Sequence, residues 1–215
     1  VYVGTVILGG FFRPNYSHIA QAVSDLIATG APNKTLLDPL FAIYNLLSIA
    51  FAVGLFQYVR SDYQHPKKLV GEIGAGVLIA QGILGLATLF FPEPAGGMSA
   101  TMTSTGELHI VFAGLSSLTT MISILLMGFW FKKSQRHRRF TSYSFLSVAA
   151  VFVTGGLAAI SVAHQSPFAG LVERITIGGF MQWLFVIAFT MARSTCSKST
   201  GRAKPIMERW NHETI

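Results

Sequence analysis

The sequence predicts an all-α protein, a six-helix transmembrane bundle with an exoplasmic amphipathic helix between helices 1 and 2. Three observations predict it. Five apolar runs each hold about 20 residues, enough at 1.5 Å per residue to cross a hydrocarbon core of about 30 Å. The composition is 51% hydrophobic and only 12% charged, which does not describe the surface of a soluble chain. The basic residues, finally, collect in the connections on one side of the apolar runs.

Residues 1–12 are apolar, yet twelve helical residues rise only about 18 Å. They are expected to be the outer end of a first helix that begins before Val1, and no basic n-region or small-residue cleavage site marks them as a signal peptide. The connection that follows is too long for a simple turn. In it Ser17 is placed to cap a helix over Ser17 to Thr29, with Ile19, Val23 and Leu26 inward and Gly30 and Pro32 as the stop. Such a helix would lie parallel to the membrane or fold over the bundle mouth.

The second helix is expected over about 36–59, with Asp38 as N-cap and Pro39 in the first helical position. The third covers about 69–91, and Lys68 sits one turn before Glu72 for a local ion pair. The connection from Pro92 to Glu107 is rich in Gly, Pro, Ser and Thr and ends in Ser104-Thr105-Gly106-Glu107, a capping-box spacing. With Ser104 as cap, His109 falls on the second turn of a fourth helix over about 108–131. On that helix His109, Ala113, Ser116, Thr120 and Ser123 form a polar stripe suited to helix packing or to a pocket extended inward. The fifth helix covers about 140–162 and the sixth about 168–192, with Ser166-Pro167 as its entry. Gly155-Gly156 and Gly178-Gly179 favour close helix packing. Residues 1–192 thus form one transmembrane domain, and 193–215 a basic tail.

Thirteen of the sixteen Lys and Arg residues lie in the second connection, the fourth connection and the tail. The positive-inside rule makes that side cytoplasmic, together with both termini. Arg13, Lys34 and Arg174 stand on the other side, against Asp25, Asp38, Glu93, Glu107 and Glu173. The net charge of +7 is therefore a topology signal, and no nucleic-acid partner is expected. A single cysteine, Cys196, excludes an internal disulfide and lies just past the last helix. Asn15-Tyr16-Ser17 and Asn33-Lys34-Thr35 match glycosylation sequons on the outer side.

An ordered set of short motifs runs through nearly the whole chain. It comprises Arg13-Pro14, Ser17, Ser24-Asp25-Leu26, Gly30-Ala31-Pro32, Phe91-Pro92-Glu93, Gly106 with His109, Ala113-Gly114, and Gly170-Leu171 with Glu173-Arg174. In this the chain resembles the DUF998 family of prokaryotic six-helix membrane proteins, whose relatives include Frag1/DRAM/Sfk1-type proteins. The resemblance implies the fold and a prokaryotic plasma membrane. It implies no activity, and Thr105 stands where a second histidine would be expected.

Glu173 and Arg174 stand side by side inside the last apolar run, where an unpaired charge is expensive. Adjacent helix positions point about 100° apart, so the two are expected to reach different partners. One account makes them a structural pair. The other makes them part of an outward-facing polar site with Arg13, Asp25, Glu93 and His109, in which lipids or other amphiphiles bind. A lipid-modifying enzyme using His109 and Glu173 as acid and base is an alternative, and so is a non-catalytic accessory subunit with a membrane-protein partner. His18, His109 and His164 show no metal-binding spacing, so no metal is expected, and no cofactor is specified.

Overall fold

Helices form wherever an apolar run must satisfy its own backbone, and the computed structural model describes residues 1–96, 101, 103–134 and 137–202. Six α-helices account for most of them: α1 (Tyr2–Phe12), α2 (Lys34–Ser61), α3 (Lys68–Phe90), α4 (Ser104–Lys133), α5 (Phe140–Ala163) and α6 (Ala169–Arg202). Five of these, α2 to α5 and the Ala169–Arg193 part of α6, are long and apolar enough to cross a membrane, and α1 is a shorter apolar helix. No strand occurs among the described residues. The protein is an integral membrane protein.

The predicted amphipathic helix over Ser17 to Thr29 is not formed. Its place is taken by irregular chain with a single 3-10 turn, Ser24–Ile27. The physical reason is competition for backbone groups, because the amides and carbonyls an α-helix would use internally are spent on side chains. The Asp25 carboxylate accepts from the Ala22 amide at 3.0 Å, the Glu173 carboxylate accepts from the Val23 amide at 2.9 Å, and the Tyr16 hydroxyl donates to the Ala22 carbonyl at 2.6 Å. The inward side survives in part: Val23 and Leu26 are buried, whereas Ile19 is exposed.

Two helix starts also differ from expectation. α2 begins at Lys34, because the Asn33 carbonyl accepts from both Leu36 and Leu37 amides and Lys34 pairs with Asp38 at 2.7 Å. Asp38 is therefore one turn inside the helix, and Pro39 loses a single bond in the second turn. α4 is capped by Thr103, whose hydroxyl accepts from the Gly106 amide at 3.2 Å, in place of Ser104. The local pair Lys68–Glu72 forms at 3.9 Å.

Consecutive helices from α1 to α5 pack against one another. The polar stripe of α4 faces α3: Ser116 Oγ accepts from Gln81 Nε2 at 3.3 Å, and Ser123 Oγ donates to the Gly74 carbonyl at 2.9 Å. At the end where α4 finishes, Trp130 is fully buried between His65 and His137, with ring centroids 5.0 and 6.0 Å away. A Cβ at Gly71 would stand 2.6 Å from the Trp130 ring, so only glycine admits the indole there. The opposite end, where α1 finishes and α2, α4 and α6 begin, carries the long connections.

The chain divides into two units, Val1–Phe180 and Met181–Ile215. In the second, α6 continues to Arg202, ten residues past the expected end at Ala192. Within it Phe185 and Phe189 stack at 5.9 Å, and the Arg193 guanidinium lies 4.3 Å from the Phe189 ring. Gly97, Arg136, the Cys196 side chain and residues 203–215 of the expected tail lie outside the described residues.

Candidate functional site

The connection 13–33 is fastened to the first turns of α6. A helix start leaves its first amides without intrahelical partners, and one of these, Leu171 N–H, donates to the Ile19 carbonyl at 2.8 Å. One turn in, Glu173 Oε2 accepts from the Val23 amide at 2.9 Å. Arg174 Nη1 donates to the Gln21 carbonyl and to the Gly170 carbonyl, both at 2.8 Å, and its Nη2 donates to the Tyr16 hydroxyl at 2.6 Å. The two adjacent charges thus reach different partners on the same connection. The approach is so close that a Cβ on Gly170 would overlap the Gln21 carbonyl.

Tyr16 is the hub of this latch. Two guanidinium groups, Arg13 and Arg174, each stand 5.7 Å from its ring centroid. Burial pushes its phenol up to about 12, against the opposing charge of Arg174. The hydroxyl therefore stays protonated and keeps donating to Ala22. The Arg13 guanidinium donates to the Asp25 carbonyl. Burial also raises Asp25, opposed by the Ala22 amide and by Arg13 and Arg174. Under this polar lattice Val23, Leu26 and Ile27 pack with Val6, Leu37 and Phe41, flanked by Tyr2, Leu89 and Ile177. Leu26 is 1% exposed, so the turn acts as a stopper at this end of the bundle.

Below the turn lies a second layer, Glu93 and His109, each 5% exposed. His109 Nδ1 donates to the Phe91 carbonyl at 2.8 Å, with the Thr88 carbonyl at 3.3 Å. A carbonyl only accepts, so the proton of the neutral ring is fixed on Nδ1 and the Nε2 lone pair faces Glu93 Oε1 at 3.7 Å. Burial raises Glu93; His109 and the Ser24 hydroxyl oppose that shift and the Asp25 charge adds to it. Its second oxygen, Oε2, is buried without a hydrogen-bond partner. The Glu93 carbonyl accepts from the Thr29 amide at 2.8 Å, so residues at both ends of the 3-10 turn touch this one residue.

Of the six residues nominated by the sequence, Arg13, Asp25, Glu173 and Arg174 stand in the latch and Glu93 and His109 in the layer beneath. No hydrogen bond or ion pair joins His109 to Glu173 or Arg174 among the described residues. Asp25 is the electrostatic link, since its charge acts on Glu93 and Arg174 acts on it. His18 and His164 are exposed; His18 packs edge-on against the Tyr16 ring, centroids 5.1 Å apart, at the margin of the latch. Among the described residues no group of three or more His, Cys, Asp or Glu side chains is placed to hold a metal ion.

Sequence reasoning missed Tyr16, Gln21 and Gly170. Tyr16 carried a usable signal, an aromatic three residues after Arg13 at the edge of an apolar run. Gly170 carried a weaker one, as a glycine in a first helical turn where it costs helix propensity. Gln21 contributes its carbonyl, for which no side-chain pattern exists.

A profile of the family described as "Protein of unknown function (DUF998)" matches residues 1–190. No curated protein and no solved structure matches the chain.

Proposed function

The chain belongs to the DUF998 family, and from that premise we propose that it binds a lipid or other amphiphile at an outward-facing polar site. The connection 13–33 is the lid of that site, Glu173 and Arg174 latch it, and Glu93 with His109 receives the polar end of the ligand. One observation carries this: Glu93 Oε2 is buried without a partner. An orphaned carboxylate oxygen costs free energy that natural structures seldom leave uncompensated. In the latch, Glu173 Oε2 and both Nη atoms of Arg174 are already occupied by backbone and by Tyr16, while the Arg174 Nε lacks a partner. An enzyme acting on a lipid headgroup is the second reading. It would use His109 with Glu93 as the proton-exchanging pair, since Glu173 is engaged by Val23.

Gentle purification followed by mass spectrometry of retained lipid tests the binding. The wild type is expected to carry about one amphiphile per chain, and Glu93→Ala with His109→Ala is expected to lose it while remaining folded. A wild-type protein that comes away free of any lipid or amphiphile sinks the proposal.

The outward placement rests on the distribution of basic residues. With Cys196 replaced by serine and a cysteine introduced by Ala20→Cys at the exposed edge of the lid, an impermeant thiol reagent is expected to label intact cells. The parent protein, with Cys196 alone, is expected to stay unlabelled until the membrane is opened. The reverse pattern would turn the site to the cytoplasm.

A further inference from the structure

We propose that the buried Glu93–His109 pair seats a primary ammonium group, carried by an aminophospholipid headgroup or by a free primary amine. This rests on the binding function proposed above and names the chemical class of its ligand.

The donor and acceptor inventory dictates the class. His109 Nδ1 is committed to the Phe91 carbonyl, and Nε2 faces Glu93 Oε1. The Ser24 hydroxyl also acts on the Glu93 carboxyl, yet Oε2 has no hydrogen-bond partner, and a carboxylate oxygen accepts hydrogen bonds, so its missing partner is a donor. The sign of the field selects among donors. Glu93 is 5% exposed and, against His109 beside it, has the Asp25 charge near it and Glu173 within electrostatic reach as well. The nearby guanidinium groups are turned elsewhere, Arg13 to the Asp25 carbonyl and Arg174 to Gln21, Gly170 and Tyr16. An anionic group would meet carboxylates there. A cation with N–H bonds meets both the charge and the open lone pair, and forms a charge-assisted hydrogen bond. Burial raises Glu93 by penalising its charged form, and an ammonium against the carboxylate opposes that shift by stabilising the charge.

The requirement for N–H makes a sharp distinction between headgroups of equal charge. Phosphatidylethanolamine carries three N–H donors, whereas phosphatidylcholine carries a quaternary nitrogen with none. Phosphatidylglycerol offers hydroxyl donors without a cation. The full chain in nanodiscs of phosphatidylcholine is titrated with each of the other two lipids, and the lipid bound to the protein is quantified by native mass spectrometry. The expected result is at least tenfold enrichment of phosphatidylethanolamine over phosphatidylcholine and over phosphatidylglycerol, falling to within about twofold in Glu93→Gln. A competition arm with free ethanolamine separates the two sources. Displacement of bound lipid by the amine alone at millimolar concentration, with no lipid preference, assigns the site to a free amine.

Enrichment of phosphatidylglycerol overturns the cation, and equal retention of phosphatidylcholine and phosphatidylethanolamine with no effect of ethanolamine overturns the N–H requirement. Either result leaves amphiphile binding standing, whereas a chain that retains no lipid of any kind removes the binding function itself. The wild-type preferences decide the matter even if Glu93→Gln fails to fold.

Discussion

Arg174→Ala is expected to release the lid. Arg174 makes bonds to the Gln21 carbonyl, the Gly170 carbonyl and the Tyr16 hydroxyl, and lies over the Tyr16 ring. Net contributions to charged groups run at roughly 1.5–3 kcal/mol per bond, and the orphaned partners add their own desolvation cost. A loss of about 3 kcal/mol in lid docking would raise the open population about a hundredfold. The readout is a cysteine at Leu26, 1% exposed in the closed protein, in a background with Cys196 replaced by serine. Its modification by a thiol reagent should quicken about a hundredfold when Arg174→Ala is added. Arg174→Lys should fall between, because an ammonium has no planar fork to span three acceptors. Unchanged labelling in Arg174→Ala would show that the apolar stopper holds the lid unaided.

Gly170→Ala should produce a comparable opening from the addition of one methyl group. The new Cβ would overlap the Gln21 carbonyl and stand 2.8 Å from Arg174 Nη1. The backbone at Gln21 is itself held by Arg174, so the lid has to move away as a whole. Gly178→Ala is the matched control on the same helix, since a Cβ there meets nothing within 4 Å. In a helix interior, alanine in place of glycine is favourable by about 1 kcal/mol, so Gly178→Ala should melt at the same temperature or slightly higher. Gly170→Ala should melt lower and label faster at Leu26. If the two variants behave alike in nanodiscs, the close approach of lid and helix is not what closes the site.

The helices were legible because hydrocarbon imposes a length and an apolar composition that a single sequence displays directly. The ion pair Lys68–Glu72 and the need for Glu173 and Arg174 to find separate partners followed from helical geometry alone. The lid did not yield to the same logic. Its three-and-four spacing of Ile19, Val23 and Leu26 is the pattern of a helix, yet Asp25 and Tyr16 intercept the backbone groups that a helix requires. Periodicity reports which side chains turn inward, and it identified Val23 and Leu26. It is blind to whether the main chain has a better tertiary partner, as Val23 has in Glu173 and Gln21 in Arg174. Glu93 and His109 were legible as members of one polar site but not as a pair, because their contact depends on how α3 ends against the start of α4.

The bonds from Val23 to Glu173 and from Tyr16 to Arg174 join positions 150 and 158 residues apart. During synthesis the lid segment emerges early and waits through the translation of four long helices before its partners exist. At that stage Glu173 and Arg174 enter a segment whose insertion each charge would oppose by roughly 2.5–3.5 kcal/mol at its centre. The waiting Gln21 carbonyl, Val23 amide and Tyr16 hydroxyl give those charges somewhere to go. Fastening of this connection is thus tied to completion of the bundle. A ribosome that stalls before Ala169 leaves a chain in which Leu26 and Val23 keep their apolar neighbours Val6, Leu37, Phe41 and Leu89 but lack every bond to the last helix.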